Sequence, residues 1–562
     1  MGKRKSKRFE RNRQKRIKVE AEGEDAIISS TDRLSALPEP LMLQIFLLLP
    51  PIDALHISLL SKSWRRLWNS IPIENFEFKY LSFQRRLRNE NLVAKEKADR
   101  FLKFIDDSLQ KLEDVINEVK IETFVLHLHA AVHAVTSYDL FSHMKQWMRL
   151  VAKKHIKHLD MKTNLRHPCV NLPATTFLAQ SLSTLKLQGF ALPDNLLFFV
   201  NLNFPCLQNL SLIRVYAEER VAEKLLSSCP FLEELYMKEC RGLDDLLCIP
   251  NLPKLTKVSL ISNSNTFVAF EASNVQLLIF KVSGYSLPNL NGCKDLKHLK
   301  VSANRDISSL WIQQILDKFD QLETLHLKYF PTSRKVEISS RHQLKSLSLV
   351  HFHEDVYLIK IDAPNLESYE YKNNRSLPLS YPINSPSLQV ARLFLDTGMY
   401  LDTMWFRRLR NYLFQTFHKH QVLNLRLGSS QIKFDPWTED LQPSKVERVE
   451  IEVLNSRMSY SALLNGLLWC AHPTALYVKG SKSNIDFIAF LCETLLTNME
   501  EIEQCSCELK WCWRHLLKDV KMKIGINDKV KEFEFDEGFA FESLPTLRAN
   551  VQVIFELICF RS

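Results

Sequence analysis

Short apolar cores of the form Leu-x-x-Leu-x-Leu, with polar residues between the apolar ones, recur through most of this chain. Aligned on their first apolar residue, they start at Ile121, Ile156, Leu182, Leu207, Leu232, Leu255, Leu277, Leu296, Leu322, Leu344, Leu366, Leu388, Val422 and Val446. Alternation over so few positions predicts strands that bury every second side chain. From Leu182 to Leu388 the steps are 25, 25, 23, 22, 19, 26, 22, 22 and 22 residues, which predicts similar units stacked side by side. The steps stretch to 35 between Ile121 and Ile156 and to 34 between Leu388 and Val422, so the stack is expected to be irregular there. Residues between the inward positions are expected to line the concave face: Lys186, Ser211, Tyr236, Ser259, Lys300, His326, Ser348, Glu370 and Arg392.

Before the strands, the period changes from two to about 3.6. Pro38 and Pro40 fall where a first helical turn lacks intrahelical partners for its amides, and Leu41, Ile45, Leu48 and Leu49 then recur on one predicted helical face. Pro50 and Pro51 end that helix and open another, with Asp53 in its first turn. Ser61 is placed to cap a third, on which Trp64, Leu67 and Trp68 share a face, and Pro72 closes it. Helices of about ten residues are marginal alone and need packing partners. Between Tyr80 and Val119 a charged connector carries Phe101, Phe104, Ile105, Leu109 and Leu112 at helical spacing, which predicts a helix that covers the open end of the strand stack.

Composition adds constraints. The 562 residues are 46% hydrophobic and 25% charged, ordinary for a globular chain. No apolar run reaches the roughly 18–20 residues of a membrane span. The formal charge of +10 belongs to one end: residues 1–18 hold ten Lys and Arg against Glu10, a net +9. This tail, with its clusters KRKSKR and RNRQKR, lacks the apolar residues needed to fold. It reads as a nuclear-import candidate carried by Lys3, Arg4, Lys5, Lys7, Arg8, Arg13, Lys15 and Arg16. The folded body is then almost neutral, and the row of concave-face residues shows no continuous cationic stripe, so no specific nucleic acid is expected.

Catalytic patterns are missing. Phosphate-cradling Gly-rich loops, H-E-x-x-H and G-x-S-x-G are absent from the sequence. Twelve scattered cysteines suit a reducing compartment. Cys505, Cys507, Cys512 and His515 match no standard zinc spacing, and Trp511 and Trp513 beside them favour packing. His127, His129 and His133 are read as surface or concave-face histidines. Neither an enzyme nor a metal or other cofactor is expected.

Several segments resemble one family. Asp32-Arg33-Leu34-Ser35-x-Leu37-Pro38, the apolar helix through Ile45 and Leu49, and Leu59-Leu60-Ser61-Lys62-x-Trp64-Arg65-x-Leu67-Trp68 resemble the F-box of plant leucine-rich-repeat proteins. Phe204 to Cys240 is similar to that family's strand–helix–Cys-Pro-x-Leu-Glu-x-Leu unit, and Leu172 to Leu187 to the unit before it. Cys512 to Ile524 and Val551 to Phe560 resemble tails of the same group. The sequence departs from the family at Pro51-Ile52-Asp53, where a Thr-Lys-Asp-like helix cap is frequent.

The resemblance implies an α/β fold: a three-helix F-box, then an irregular leucine-rich-repeat solenoid with parallel strands inside and helices or loops outside. The expected domains are a basic tail (1–30), the F-box (31–78), the connector (79–119), the repeats (120–480) and a C-terminal capping region (481–562). It also implies docking on the Skp-type adaptor of a cullin–RING ubiquitin ligase through Leu37, Pro38, Ile45, Ser61, Lys62 and Trp64, with the repeats holding a substrate protein. For Trp64 a purely internal role is at least equally expected, since a large aromatic commonly centres a small core. The competing reading is a repeat scaffold outside any ligase, with a degenerate F-box. The expected location is the nucleus, the cytoplasm or both, with no membrane partner.

Overall fold

The computed structural model describes residues 37–49, 60–70, 75–87, 92–115, 122–129, 137–164, 170–199, 202–243, 246–262, 267–282, 287–303, 309–330, 335–341, 343–352, 358–373, 380–397, 400–415, 420–428, 431–435, 442–454, 458–479, 484–497, 511–526, 529–533 and 551–559, with single positions 34, 53, 57 and 377. The basic tail and all its import-candidate residues lie outside these. The chain divides into two compact units, Met1–Tyr236 with Cys240–Leu243, and Met237–Glu239 with Asp244–Ser562. Both are mixed α/β and built around parallel strands, and among the described residues no helix is long and apolar enough to cross a membrane.

In the first unit, strands Asn75–Lys79, Thr123–Leu128, His158–Thr163, Thr184–Gln188 and Asn209–Ile213 pair in parallel, each with the next. Leu159, Leu185 and Leu210 share one register position, as do Met161, Leu187 and Leu212, and all six are buried. Each such side chain contributes about 1.5–3 kcal/mol by leaving water.

The Asn75–Lys79 strand, buried at Phe76 and Phe78, precedes the first repeat core read from the sequence. It changes the meaning of the connector. The Ala94–Val115 helix crosses between two paired strands, with Phe101, Ile105 and Leu109 buried, so it is the covering helix of a β–α–β unit instead of an end cap. Asp106 on this helix accepts from Trp147 Nε1 at 2.7 Å and lies 2.8 Å from His143 Nδ1, which ties it to the helix Ser137–Lys153.

Gly189 and Arg214 follow their strands at the same point, 25 residues apart, and both have left-handed backbones, with φ of 78° and 51°. The repeat turn imposes that conformation, which glycine adopts freely and arginine only under strain.

In the second unit the strands beginning at Lys257, Leu277, His298, Thr324, Ser346, Ser368, Val390, His420, Ser444 and Ala471 pair in parallel in that order. A second parallel row, Lys335–Ser339, Leu358–Asp362 and Ile383–Asn384, belongs to the return segments. Two core starts shift. Leu277 takes the same outward register position as Lys257 and His298, while Val275, Leu278 and Phe280 are buried. The repeat therefore starts at Val275, and the steps around it become 20 and 21 (255, 275, 296). Val422 is paired with the outward Arg392, and the inward residues are Leu423, Leu425 and Leu427. In both places an apolar residue on the outward face imitated an inward one.

Behind the strand Ser368–Asn373, Tyr369, Tyr371, Tyr381 and Tyr412 are buried together. The Tyr381 and Tyr412 rings meet edge-on at 4.5 Å, and Asn373 Nδ2 donates to the Tyr371 hydroxyl at 3.0 Å. Burial pushes the Tyr371 hydroxyl up to about 12 and the other three upward as well. Further along, Gly466 on the helix Tyr460–Cys470 lies so close to Phe406 that a β-carbon there would meet two ring carbons at 2.5 Å.

The parallel order ends at Ala471–Lys479. Val551–Cys559 pairs antiparallel with that strand on one side and with Leu517–Ile526 on the other, and Leu517–Ile526 pairs antiparallel with Lys529–Phe533. The two C-terminal segments singled out in the sequence are thus the neighbours that close the sheet edge.

Candidate functional site: a docking helix and the open face of the strands

The helix Glu39–Leu48 starts from Pro38, whose carbonyl accepts from Leu41 N at 2.9 Å and Met42 N at 3.1 Å. Its inner side is Met42 and Phe46, 3% and 4% exposed, and not the Leu41 and Ile45 pair that the spacing suggested. Phe46 meets the buried Trp64 ring edge-on at 5.0 Å. The reason is compositional: apart from Glu39 and Gln44 this helix is apolar, so periodicity finds a face without deciding which one is inside. Leu41 is 47% exposed, Leu43 37% and Leu34 54%, while Leu37 and Ile45 are half-buried. Leu41 and Ile45, one helical turn apart, therefore leave an apolar flank on one side of the packed Met42 and Phe46, with Leu43 on the opposite flank and exposed Gln44 facing outward.

The helix Lys62–Ser70 is capped by Ser61, whose hydroxyl oxygen accepts from Trp64 N at 3.4 Å. Of the six residues assigned to the adaptor interface by resemblance, Pro38 and Lys62 are exposed, Leu37, Ile45 and Ser61 are half-buried, and Trp64 is 1% exposed at the centre of the small core. Exposed Arg65 and Arg66 follow Lys62 and leave this end of the cluster cationic.

The other surface is the face of the strands turned away from the helices. The residues predicted between the inward positions do occupy it, in continuous rows. In the first unit Asp160, Lys186 and Ser211 are register neighbours. In the second, Ser259, Ile279, Lys300, His326, Ser348, Glu370 and Arg392 follow one another. Burial raises the Asp160 carboxyl, but the hydrogen bond and charge of His127, with Lys186 and Lys162, outweigh it and hold the group below its ordinary value. His326 is pushed down to about 4, first by burial and then by Lys300 and Lys328.

Sequence reasoning missed a second row, two residues along each strand: Lys281, Ser302, Lys328, Val350, Lys372 and Phe394. Counting two residues past each central position would have found it. Nearer the C-terminus the outward charges are matched. Arg448 pairs with Glu450, and Arg426 and Lys479 both reach Glu452, at 3.6 and 3.3 Å.

Among the described residues no group of three or more His, Cys, Asp or Glu could hold a metal ion. His127 lies 3.5 Å from Asp160, His129 stacks on Tyr80 at 5.7 Å, and His133, Cys505 and Cys507 lie outside the described residues. Cys512 is buried at the start of the short helix Trp513–Leu516, where the Trp513 indole donates to Asn465 Oδ1 at 3.1 Å.

The family models match the same two regions. Residues 34–76 match the F-box domain, and residues 144–286 match the model described as "FBD-associated F-box protein At5g56370, LRR repeats". The chain carries an F-box followed by FBD-associated leucine-rich repeats. Similar proteins include several from Arabidopsis thaliana. An F-box/FBD/LRR-repeat protein is 28% identical over 247 residues, covering 43% of this chain and 51% of that protein. An FBD-associated F-box protein is 28% identical over 302 residues, covering 53% and 56%. Another FBD-associated F-box protein is 25% identical over 407 residues, covering 64% and 88%. The chain thus spans about half the length of the first of these F-box relatives.

Proposed function

We propose that this F-box/leucine-rich-repeat chain is the substrate-recognition subunit of an SCF-type E3 ubiquitin ligase. The observation that carries this reading is the apolar flank of Leu41 and Ile45 on the Glu39–Leu48 helix, left accessible although Met42 and Phe46 already pack its inner side. An accessible apolar flank of this kind fits a partner surface. By family resemblance that partner is a Skp-type adaptor, and through it a cullin. The repeats would hold a substrate protein and raise its effective concentration near the ubiquitin-charged enzyme. The chain itself would carry no catalytic group; the reactive cysteine and the RING zinc would belong to other subunits.

Co-purification with a Skp-type adaptor tests this. Leu37→Ala/Pro38→Ala is expected to weaken capture by about tenfold or more, since both lead into the helix beside its accessible apolar flank, with Pro38 exposed and Leu37 half-buried. Capture equal to that of the unaltered chain refutes the interface. Failure of the unaltered chain to capture any adaptor favours the scaffold with a degenerate F-box.

We further propose that the basic residues 3–16 direct the protein to the nucleus. Deleting residues 1–20 is expected to lower the nuclear fraction of a fluorescent fusion, and an unchanged fraction refutes the assignment.

A further inference from the structure

The two outward rows of the second unit, set side by side, form a cationic patch to which the second row contributes most. Between the strands Leu277–Val282 and Val390–Thr397 they hold Lys281, Lys300, Lys328, Lys372 and Arg392 against the one carboxylate of Glu370, a net +4 from five minus one. Lys281, Lys300, Lys372 and Arg392 are exposed. Asp396, one step beyond these rows, is the register neighbour of Arg426.

Two further observations mark the middle of the patch. The Ser348 side chain, on an outward position and only 8% exposed, has a hydroxyl with no hydrogen-bond partner among the described residues. The neighbouring His326 feels both Lys300 and Lys328 as positive charges. Ile279, Val350 and Phe394 sit between the cations, and Lys372 Nζ lies 5.9 Å from the centre of the Phe394 ring.

We infer that this patch binds an acidic segment of a partner protein, one in which carboxylates alternate with apolar side chains. The charge calls for carboxylates, and the interleaved apolar positions call for side chains that a polynucleotide backbone does not supply. Glu370, between Ser348 and Arg392, would also repel a continuous run of phosphates, whereas a peptide can place an uncharged donor there. Five strand spacings of about 4.8 Å make the patch about 24 Å across, the reach of about seven extended residues. The inference rests on the reading that the repeats hold a protein, but it does not depend on adaptor docking.

The test uses the full chain and a fluorescein-labelled twelve-residue peptide of alternating Glu and Leu, with anisotropy read between low and moderate salt. Lys300→Glu/Lys328→Glu/Lys372→Glu is expected to weaken binding at least about tenfold, because three attractive charge pairs are lost and reversal adds repulsion at each position. Lys254→Glu/Lys294→Glu/Lys360→Glu changes the net charge equally away from the patch and is expected to bind like the unaltered chain. Equal loss in both triple variants, or no binding by the unaltered chain, overturns the inference. So does a single-stranded DNA twelve-mer that binds as tightly and loses affinity with the same patch variant. If the Glu variant does not fold, Lys300→Gln/Lys328→Gln/Lys372→Gln carries the same test, read against the thermal transition of each protein. Adaptor capture by the same preparations scores the ligase reading separately.

Discussion

Replacing Trp64 with alanine is expected to abolish adaptor capture by dismantling the F-box, and not by removing a contact. The indole is 1% exposed and packs edge-on against Phe46, so its loss leaves a void at the centre of short helices. Truncating a buried Trp to Ala costs about 3–5 kcal/mol. Helices of about ten residues have little stability of their own to absorb that loss. At about 1.4 kcal/mol per tenfold change, the folded-to-unfolded ratio of the F-box falls by a factor of about 100 or more. Limited proteolysis should then cut within residues 34–70, while Trp64→Phe, which keeps a ring against Phe46, should retain most of the binding. Leu41→Asp provides the contrast: Leu41 is 47% exposed, so this change should weaken capture and leave proteolysis unchanged. Capture and protease resistance by Trp64→Ala equal to those of the unaltered chain would show that the indole holds nothing together.

Gly189→Ala is expected to destabilise the first unit by about 2–4 kcal/mol, read as a lower thermal midpoint. The left-handed backbone alone disfavours a β-carbon by about 1–2 kcal/mol. The remainder is steric: the new carbon would stand 2.5 Å from the Thr163 carbonyl oxygen and 2.9 Å from its methyl group. Neither side yields easily, since Thr163 is fully buried and Gly189 N donates to the Ile213 carbonyl at 2.9 Å. Arg214→Gly, at the matching turn, is expected to change the midpoint little. It relieves about 1–2 kcal/mol of left-handed strain but adds about 0.5–1 kcal/mol of chain entropy to the unfolded state. An unchanged midpoint for Gly189→Ala would mean that the turn has room the distances deny.

The repeat architecture was legible because period-two alternation leaves little choice of inward residues where polar groups separate them, as in Leu207-Gln-Asn-Leu210-Ser-Leu212. It became ambiguous wherever the outward face was apolar too. Leu277 and Val422 imitated inward residues for that reason, and register against the neighbouring strands is what separated them. The Glu39–Leu48 helix shows the same ambiguity at period 3.6: Leu41 with Ile45 and Met42 with Phe46 are equally apolar, and only the place of Trp64 decides which pair faces inward. The strand Asn75–Lys79 was hidden because its partner is 48 residues away (75 to 123), and its two buried phenylalanines make too short a pattern to stand out. The cationic patch was not visible along the chain because its members come from separate strands and become neighbours only across the sheet.

Through the second unit, each parallel strand joins the edge left by the one before it, so spatial order and order of synthesis agree as far as Ala471–Lys479. There they part. The neighbour of that strand is Val551–Cys559, and Leu517–Ile526, although made earlier, must wait outside it. A ribosome can therefore release the stacked units one after another, but the final edge closes only when a later stretch of chain returns and inserts between two segments already made. Until then the backbone of Ala471–Lys479 remains an unpaired strand edge, the kind of template that recruits other chains. For this protein, the interval between making residue 479 and residue 559 leaves a strand edge open to pairing with another chain.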